Sequence, residues 1–84
     1  MSTILPLSPR LNRIVFSHGL QKKMAKQLGL IATNPKHPSL YVELLEPKSA
    51  GVYSFRIDRK YRTLFVYRPD QNAIEILAVT VHYH

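Results

Sequence analysis

Apolar positions follow two different rhythms along the chain, and the rhythm changes near Pro35. From Leu11 to Ile31 the spacing is helical: Leu11, Ile14, Val15 and His18, then Leu20, Met24, Leu28 and Ile31. Ser8-Pro9 is a helix start with a mechanism, since a serine oxygen can cap free amides while proline at the first helical position already has the required φ. Ser17-His18-Gly19 marks a break or bend between the two apolar runs. The second run ends before Asn34-Pro35, because a residue preceding proline avoids the helical region. Two amphipathic helices, or one bent helical hairpin, are therefore expected.

Beyond Pro35 the pattern becomes strand-like. Leu40 to Leu45 is expected to form a strand, followed by a turn at Pro47-Lys48-Ser49-Ala50-Gly51 whose glycine supplies a positive φ. Val52 to Asp58 alternates, with Tyr53, Phe55 and Ile57 on one side and Ser54, Arg56 and Asp58 on the other. Tyr61 to Arg68 is rich in aromatic and β-branched residues, and Pro69-Asp70-Gln71-Asn72 closes it. A three-residue connection that pairs Asp58 with Arg62 is expected between these strands, because it gathers Arg56, Arg62 and Arg68 on one face. Ala73 to Tyr83 reads as apolar on both faces, Ile74, Ile76 and Ala78 opposing Leu77, Val79 and Val81, which suits a strand inside the sheet. Thr3 to Leu7 has strand character too, but Pro6 confines it to an edge or a lead-in. The expected fold is α+β: the helices cover one face of an antiparallel sheet of about four strands, and the other face stays partly open.

With 84 residues and 45% apolar content the chain can build one two-layer core, so residues 1–84 are expected to form a single domain. The absence of cysteine excludes disulfides, thiolate metal ligands and a thiol nucleophile. The four histidines lack metal-ligand spacing, and neither metal nor cofactor is expected. No apolar run is long enough to span a bilayer and no leader is evident, so a cytoplasmic location is expected.

Charge is distributed unevenly. The net charge is +7, and no acidic residue precedes Glu43, whereas Arg10, Arg13, Lys22, Lys23, Lys26 and Lys36 all do. A solvated helix usually interleaves Glu with Lys to gain (i, i+4) pairs. Their absence points to a polyanionic partner, against the plainer alternative that the lysines only solvate helix faces.

Four segments, taken in order, carry a family likeness: Asn34-Pro35-Lys36-His37-Pro38-Ser39-Leu40, Tyr53-Ser54-Phe55-Arg56-Ile57-Asp58, Tyr61-Arg62-Thr63-Leu64-Phe65, and the terminal His82-Tyr83. Together they resemble the RelE/ParE superfamily of bacterial type II toxins, from about Ser8 to the end of the chain. That superfamily includes ribosome-dependent messenger-RNA endonucleases and DNA gyrase inhibitors on one fold. The C-terminal half is similar to the YoeB- and HigB-type nucleases, in which an arginine of a Tyr-Arg pair and a terminal His or Tyr take part in RNA cleavage. The resemblance implicates Arg62, His82, Tyr83 and Arg56 in catalysis, and a cognate antitoxin, the ribosome and messenger RNA as partners. A gyrase inhibitor or an inactive member of the fold is the alternative. Some nuclease members place a carboxylate base near the start of the strand that follows His37-Pro38-Ser39; here Pro38 and Ser39 stand at those positions, with Glu43 and Glu46 out of register.

The residue types suit that chemistry. RNA cleavage through the 2′-hydroxyl needs a base, cationic groups on the phosphate and an acid for the leaving 5′-oxygen. Arginine grips phosphate with a planar fork, and histidine moves protons near neutrality. Arg62 and Arg56 are the expected phosphate ligands, and His82 the proton carrier, assisted by Tyr83 or His84. Strand alternation lets at most one of His82 and Tyr83 line a given face. Lys22, Lys23, Lys26, Arg59 and Lys60 are the expected RNA-backbone contacts. His18 and His37 read as structural; Tyr41, Tyr53, Tyr61 and Tyr67 read first as sheet packing, with the alternative that one exposed tyrosine on the open face stacks a nucleotide.

Overall fold

The computed structural model describes residues 2–81. Strand β1 (Thr3–Ile4) leads into helices α1 (Pro9–Ser17) and α2 (Gln21–Thr33), and four strands follow: β2 (Glu43–Leu44), β3 (Val52–Arg56), β4 (Tyr61–Arg68) and β5 (Ala73–Val81). The sheet has five strands in the order β1-β5-β4-β3-β2, antiparallel except where β1 runs parallel to β5. This is one strand more than expected. Ahead of Pro6, Thr3 and Ile4 pair with Ala73 and Ile74 at the edge.

The helix signals act as read. Ser8 caps α1, its Oγ accepting from the Leu11 amide at 3.2 Å, and Gly19 takes a φ of +65° between the helices. His18 is the C-terminal cap of α1, and its ring tilts against Tyr61 at 5.3 Å. Leu11, Val15, Leu20, Met24 and Ile31 are buried against Phe55, Phe65, Ile74 and Ile76 of the sheet. Buried Thr63 donates to the Met24 sulfur at 3.6 Å and so joins the layers. The stripe also holds a polar residue that apolar periodicity passes over. Gln27 is buried and donates to the backbone carbonyls of Ser39 (3.2 Å) and Arg56 (2.8 Å), tying α2 to the end of β3.

Three expectations are corrected. First, Leu40 to Leu45 is not one strand: Pro38–Leu40 forms a 3-10 turn, Tyr41 is left-handed, and only Glu43 and Leu44 pair. The Nδ1 of His37 accepts from the Ser39 amide at 3.2 Å, which caps that turn and pulls Leu40 into the core. Second, β5 is not apolar on two faces in simple alternation. The register against β4 shifts between Leu64↔Ala78 and Phe65↔Ile76, making Leu77 a bulge. Ile74 and Ile76 therefore share the helix-covered face with Val79 and Val81, while Ala78 and Thr80 share the open face.

Third, the β3–β4 connection is longer than three residues, and Arg56, not Asp58, lies opposite Arg62. The cause is Asp58. Its Oδ1 accepts from the amides of Lys60 (2.8 Å) and Tyr61 (2.9 Å), while Oδ2 meets Lys23 Nζ at 3.1 Å. These bonds take the loop out of the ladder. The shift is by an even number of residues, so the expected division into faces survives it.

Partial burial pushes the Asp58 carboxyl upward, but the bonds from Tyr61, Lys60 and Lys23 outweigh this and hold it below the ordinary 3.8. A carboxyl lowered in the folded state stabilises fully above its unfolded value, and that contribution is lost as pH falls through the folded value. Asp58→Ala is expected to cost about 1–2 kcal/mol at pH 7. In urea titrations the gap from wild type should narrow once the pH drops below 3.8. A gap that is unchanged down to pH 2 would show that the carboxylate's charge does not matter.

Candidate functional site

The open face gathers a polar group around the Arg56↔Arg62 pair. Antiparallel partners point to the same side of a sheet, so both arginines share one face, as expected from the sequence. The next strand places Thr80 opposite Arg62. Arg62 is only 8% exposed; its Nη1 donates to Ser54 Oγ at 3.0 Å and its Nη2 lies 3.5 Å from the Glu43 carboxylate. Glu43 itself pairs with Ser54 across β2 and β3, and its side chain is 58% exposed. A buried guanidinium thus lies beside a carboxylate that still reaches solvent.

Glu43 is the residue that sequence reasoning set aside. Set against the relatives' carboxylate position, which falls at Pro38 and Ser39, it stood out of register. The 3-10 turn at Pro38–Leu40 and left-handed Tyr41 delay the strand, so Glu43 is the first residue to pair and lands beside Arg62. The available signal was the His37-Pro38-Ser39 sequence, a turn start with its own cap.

Arg56 is held differently. Its guanidinium carbon sits 4.0 Å from the centre of the Tyr41 ring, and its Nε is buried with no hydrogen-bond partner among the described residues. Beside it a surface cleft of about 340 Å³ runs between α2 and the β3–β4 loop. Lys23, Lys26, Arg56 and Arg59 line the cleft, and its one acid, Asp58, is engaged with Lys23.

The expected backbone contacts divide accordingly. Lys26 and Arg59 are exposed in the cleft, whereas Lys23 is committed to Asp58. Lys22 is exposed on α2, and Lys60 lies over the Tyr61 ring at 5.5 Å. His82 and Tyr83, together with His84, lie outside the described residues. Among the described residues, no cluster of three His, Cys, Asp or Glu side chains could hold a metal ion, and no helix is long and apolar enough to cross a membrane.

No protein-family model matches the chain, and neither does any curated protein sequence. Solved structures do match. The chain is similar to the YoeB-YefM complex from Staphylococcus aureus, with a TM-score of 0.71 and 24% identity over 99% of each chain. It is similar to the archaeal RelE-RelB complex from Pyrococcus horikoshii OT3, with a TM-score of 0.75 and 16% identity over 96% of each chain. It also resembles the YoeB/ParE toxin from Agrobacterium tumefaciens, with a TM-score of 0.73 and 17% identity over 99% of this chain and 100% of the other.

A buried guanidinium is a poor stabiliser, because its desolvation offsets most of what its ion pair returns. Arg62→Met is therefore expected to change unfolding stability by less than about 1 kcal/mol, while Phe65→Ala, in the core, costs about 3–5 kcal/mol. Urea denaturation of both variants compares them directly. A loss for Arg62→Met as large as that for Phe65→Ala would make the arginine a structural element.

Proposed function

We propose that this chain, which has the fold of the RelE, YoeB and ParE toxins, is the toxin of a type II toxin-antitoxin pair and cuts messenger RNA on the ribosome. The observation that carries the reading is the placement of Arg56, Arg62, Glu43 and Thr80 on one open face, with Glu43 3.5 Å from Arg62. The fold alone hosts more than one activity, so the weight falls on this site.

The chemistry is a transesterification. Glu43, partly exposed, takes the proton from a 2′-hydroxyl, whose oxygen attacks the adjacent phosphorus. Arg62 and Arg56 bind the non-bridging oxygens as charge builds on them. The bond from phosphorus to the 5′-oxygen breaks, and that oxygen takes a proton from His82, leaving a 2′,3′-cyclic phosphate and a free 5′-hydroxyl. Between the two terminal candidates we favour His82, which is two residues from Thr80, the β5 residue opposite Arg62. Tyr83 is left an assisting role. Arg62 also holds the Glu43 side chain in place at 3.5 Å until substrate phosphate competes for the guanidinium.

The exposed cations Lys22, Lys26 and Arg59 suit ribosomal RNA, with Lys60 at the loop and Lys23 tied to Asp58. An antitoxin would complement the same basic surface with acidic residues. Structures of the similar YoeB and RelE chains contain YefM and RelB as partners, which supports such a pairing here.

Purified protein added to ribosomes stalled on a defined message is expected to cut it in the decoding site. Glu43→Gln, Arg62→Met and His82→Ala should each slow the cut by about 10²- to 10⁴-fold while remaining folded. An uncut message would overturn the nuclease reading. Cleavage complexes accumulating with DNA gyrase would then identify a gyrase inhibitor on the same fold.

A further inference from the structure

We infer that Tyr41 is a nucleobase-binding residue that stacks the base next to the scissile phosphate, with Arg56 as the second layer of the stack. The choice of RNA as ligand rests on the nuclease reading; the stacking site itself rests on separate observations.

The backbone at Tyr41 is the first. Its φ is +46°, in the left-handed region that glycine and asparagine enter readily and a bulky side chain does not. The other positive-φ residue without a glycine's freedom among the described residues is Asn72, which is the type such a turn selects. Closing a 3-10 turn therefore does not explain a tyrosine at position 41. Burial does not explain it either, since Tyr41 is 55% exposed, although the turn before it is anchored by fully buried Leu40.

The second observation is the stack already begun. The Arg56 guanidinium lies 4.0 Å from the ring centre and covers one side, leaving an exposed aromatic surface at the rim of the arginine-bearing face. The buried Nε of Arg56, which has no hydrogen-bond partner among the described residues, adds a donor. A purine or pyrimidine placed on the ring would extend the series to base, tyrosine, guanidinium, in which stacking and cation–π attraction reinforce each other.

The third is position. Tyr41 precedes Glu43 by two residues, at most about 7 Å of chain, and Arg56 lies directly opposite Arg62. A base held on Tyr41 would bring its own sugar and phosphate to the carboxylate and the two guanidiniums. Stacking is tolerant of base identity, so Tyr41 sets the position of the strand more than the sequence that is cut.

The test uses a short single-stranded RNA carrying 2-aminopurine beside a 2′-O-methyl nucleotide that blocks cleavage, together with an abasic strand of equal length. With wild-type protein, stacking is expected to quench the 2-aminopurine emission. Tyr41→Phe should keep the quenching, and Tyr41→Ala should abolish it and weaken binding about 10- to 100-fold. The abasic strand should bind wild type and Tyr41→Ala alike, which separates stacking from phosphate attraction. Quenching and affinity unchanged in Tyr41→Ala, or no quenching with wild type, would overturn the inference. The ribosome assay separates the two readings. A message cut equally by wild type and Tyr41→Ala leaves the nuclease and removes the stack; quenching that depends on Tyr41 without any cut keeps the stack and removes the nuclease.

Discussion

Two guanidiniums facing each other across adjacent antiparallel strands is an arrangement that sheets ordinarily avoid, since like charges at paired positions repel. Arg56 and Arg62 are each accommodated by partners of their own. Arg62 turns toward Ser54 and Glu43, and Arg56 lies against Tyr41, so each cation has a partner on the β2 side of the sheet. Tyr41, Glu43 and Ser54 lie within one short stretch of the chain. The delayed start of β2, the left-handed residue before it and the short pairing of Glu43 with Ser54 thus belong together. They bring an acid and an aromatic ring to charges that the β3–β4 hairpin forces into proximity.

The hairpin is fixed from outside as well as from within. Gln27 accounts for the Arg56 carbonyl, and Asp58 accounts for the amides of Lys60 and Tyr61. Both anchor to α2, the first through its own side chain and the second through Lys23. The helix therefore does more than cover the apolar face. It sets where β3 ends, and through that which residue meets Arg62.

Elements whose signals are local were legible in the sequence. Ser8-Pro9, Gly19 and Asn34-Pro35 bound the helices because capping and proline sterics act over one or two residues. The division of β3 and β4 into a charged and an aromatic face was legible for the same reason, side-chain alternation being a local property. Register was not. Pairing Arg56 with Arg62 depends on what the Asp58 carboxylate does in the loop, and the bulge at Leu77 depends on how β5 fits β4. Leu77 also explains why β5 read as apolar on two faces: one added residue inverts the alternation half-way along, and a strict period of two spreads a single apolar face over both. Glu43 was missed on register as well, set against a carboxylate position that falls at Pro38 and Ser39. Arg56 and Arg62 were legible as a pair, while the ring and the carboxylate that hold them were not.

The edge pairing of β1 has a consequence in time. Strands β3, β4 and β5 follow one another through short connections, so their contacts close small loops and can form early. Thr3, by contrast, meets Ala73, almost the full length of the chain away. Loop-closure entropy makes that the slowest contact to gain, and with two residues in the ladder it is among the easiest to lose. During synthesis the cationic helices leave the ribosome before the sheet they cover exists. Strand β1 can then dock only after β5 has been made, so that a segment made early waits for one made late before it finds its place.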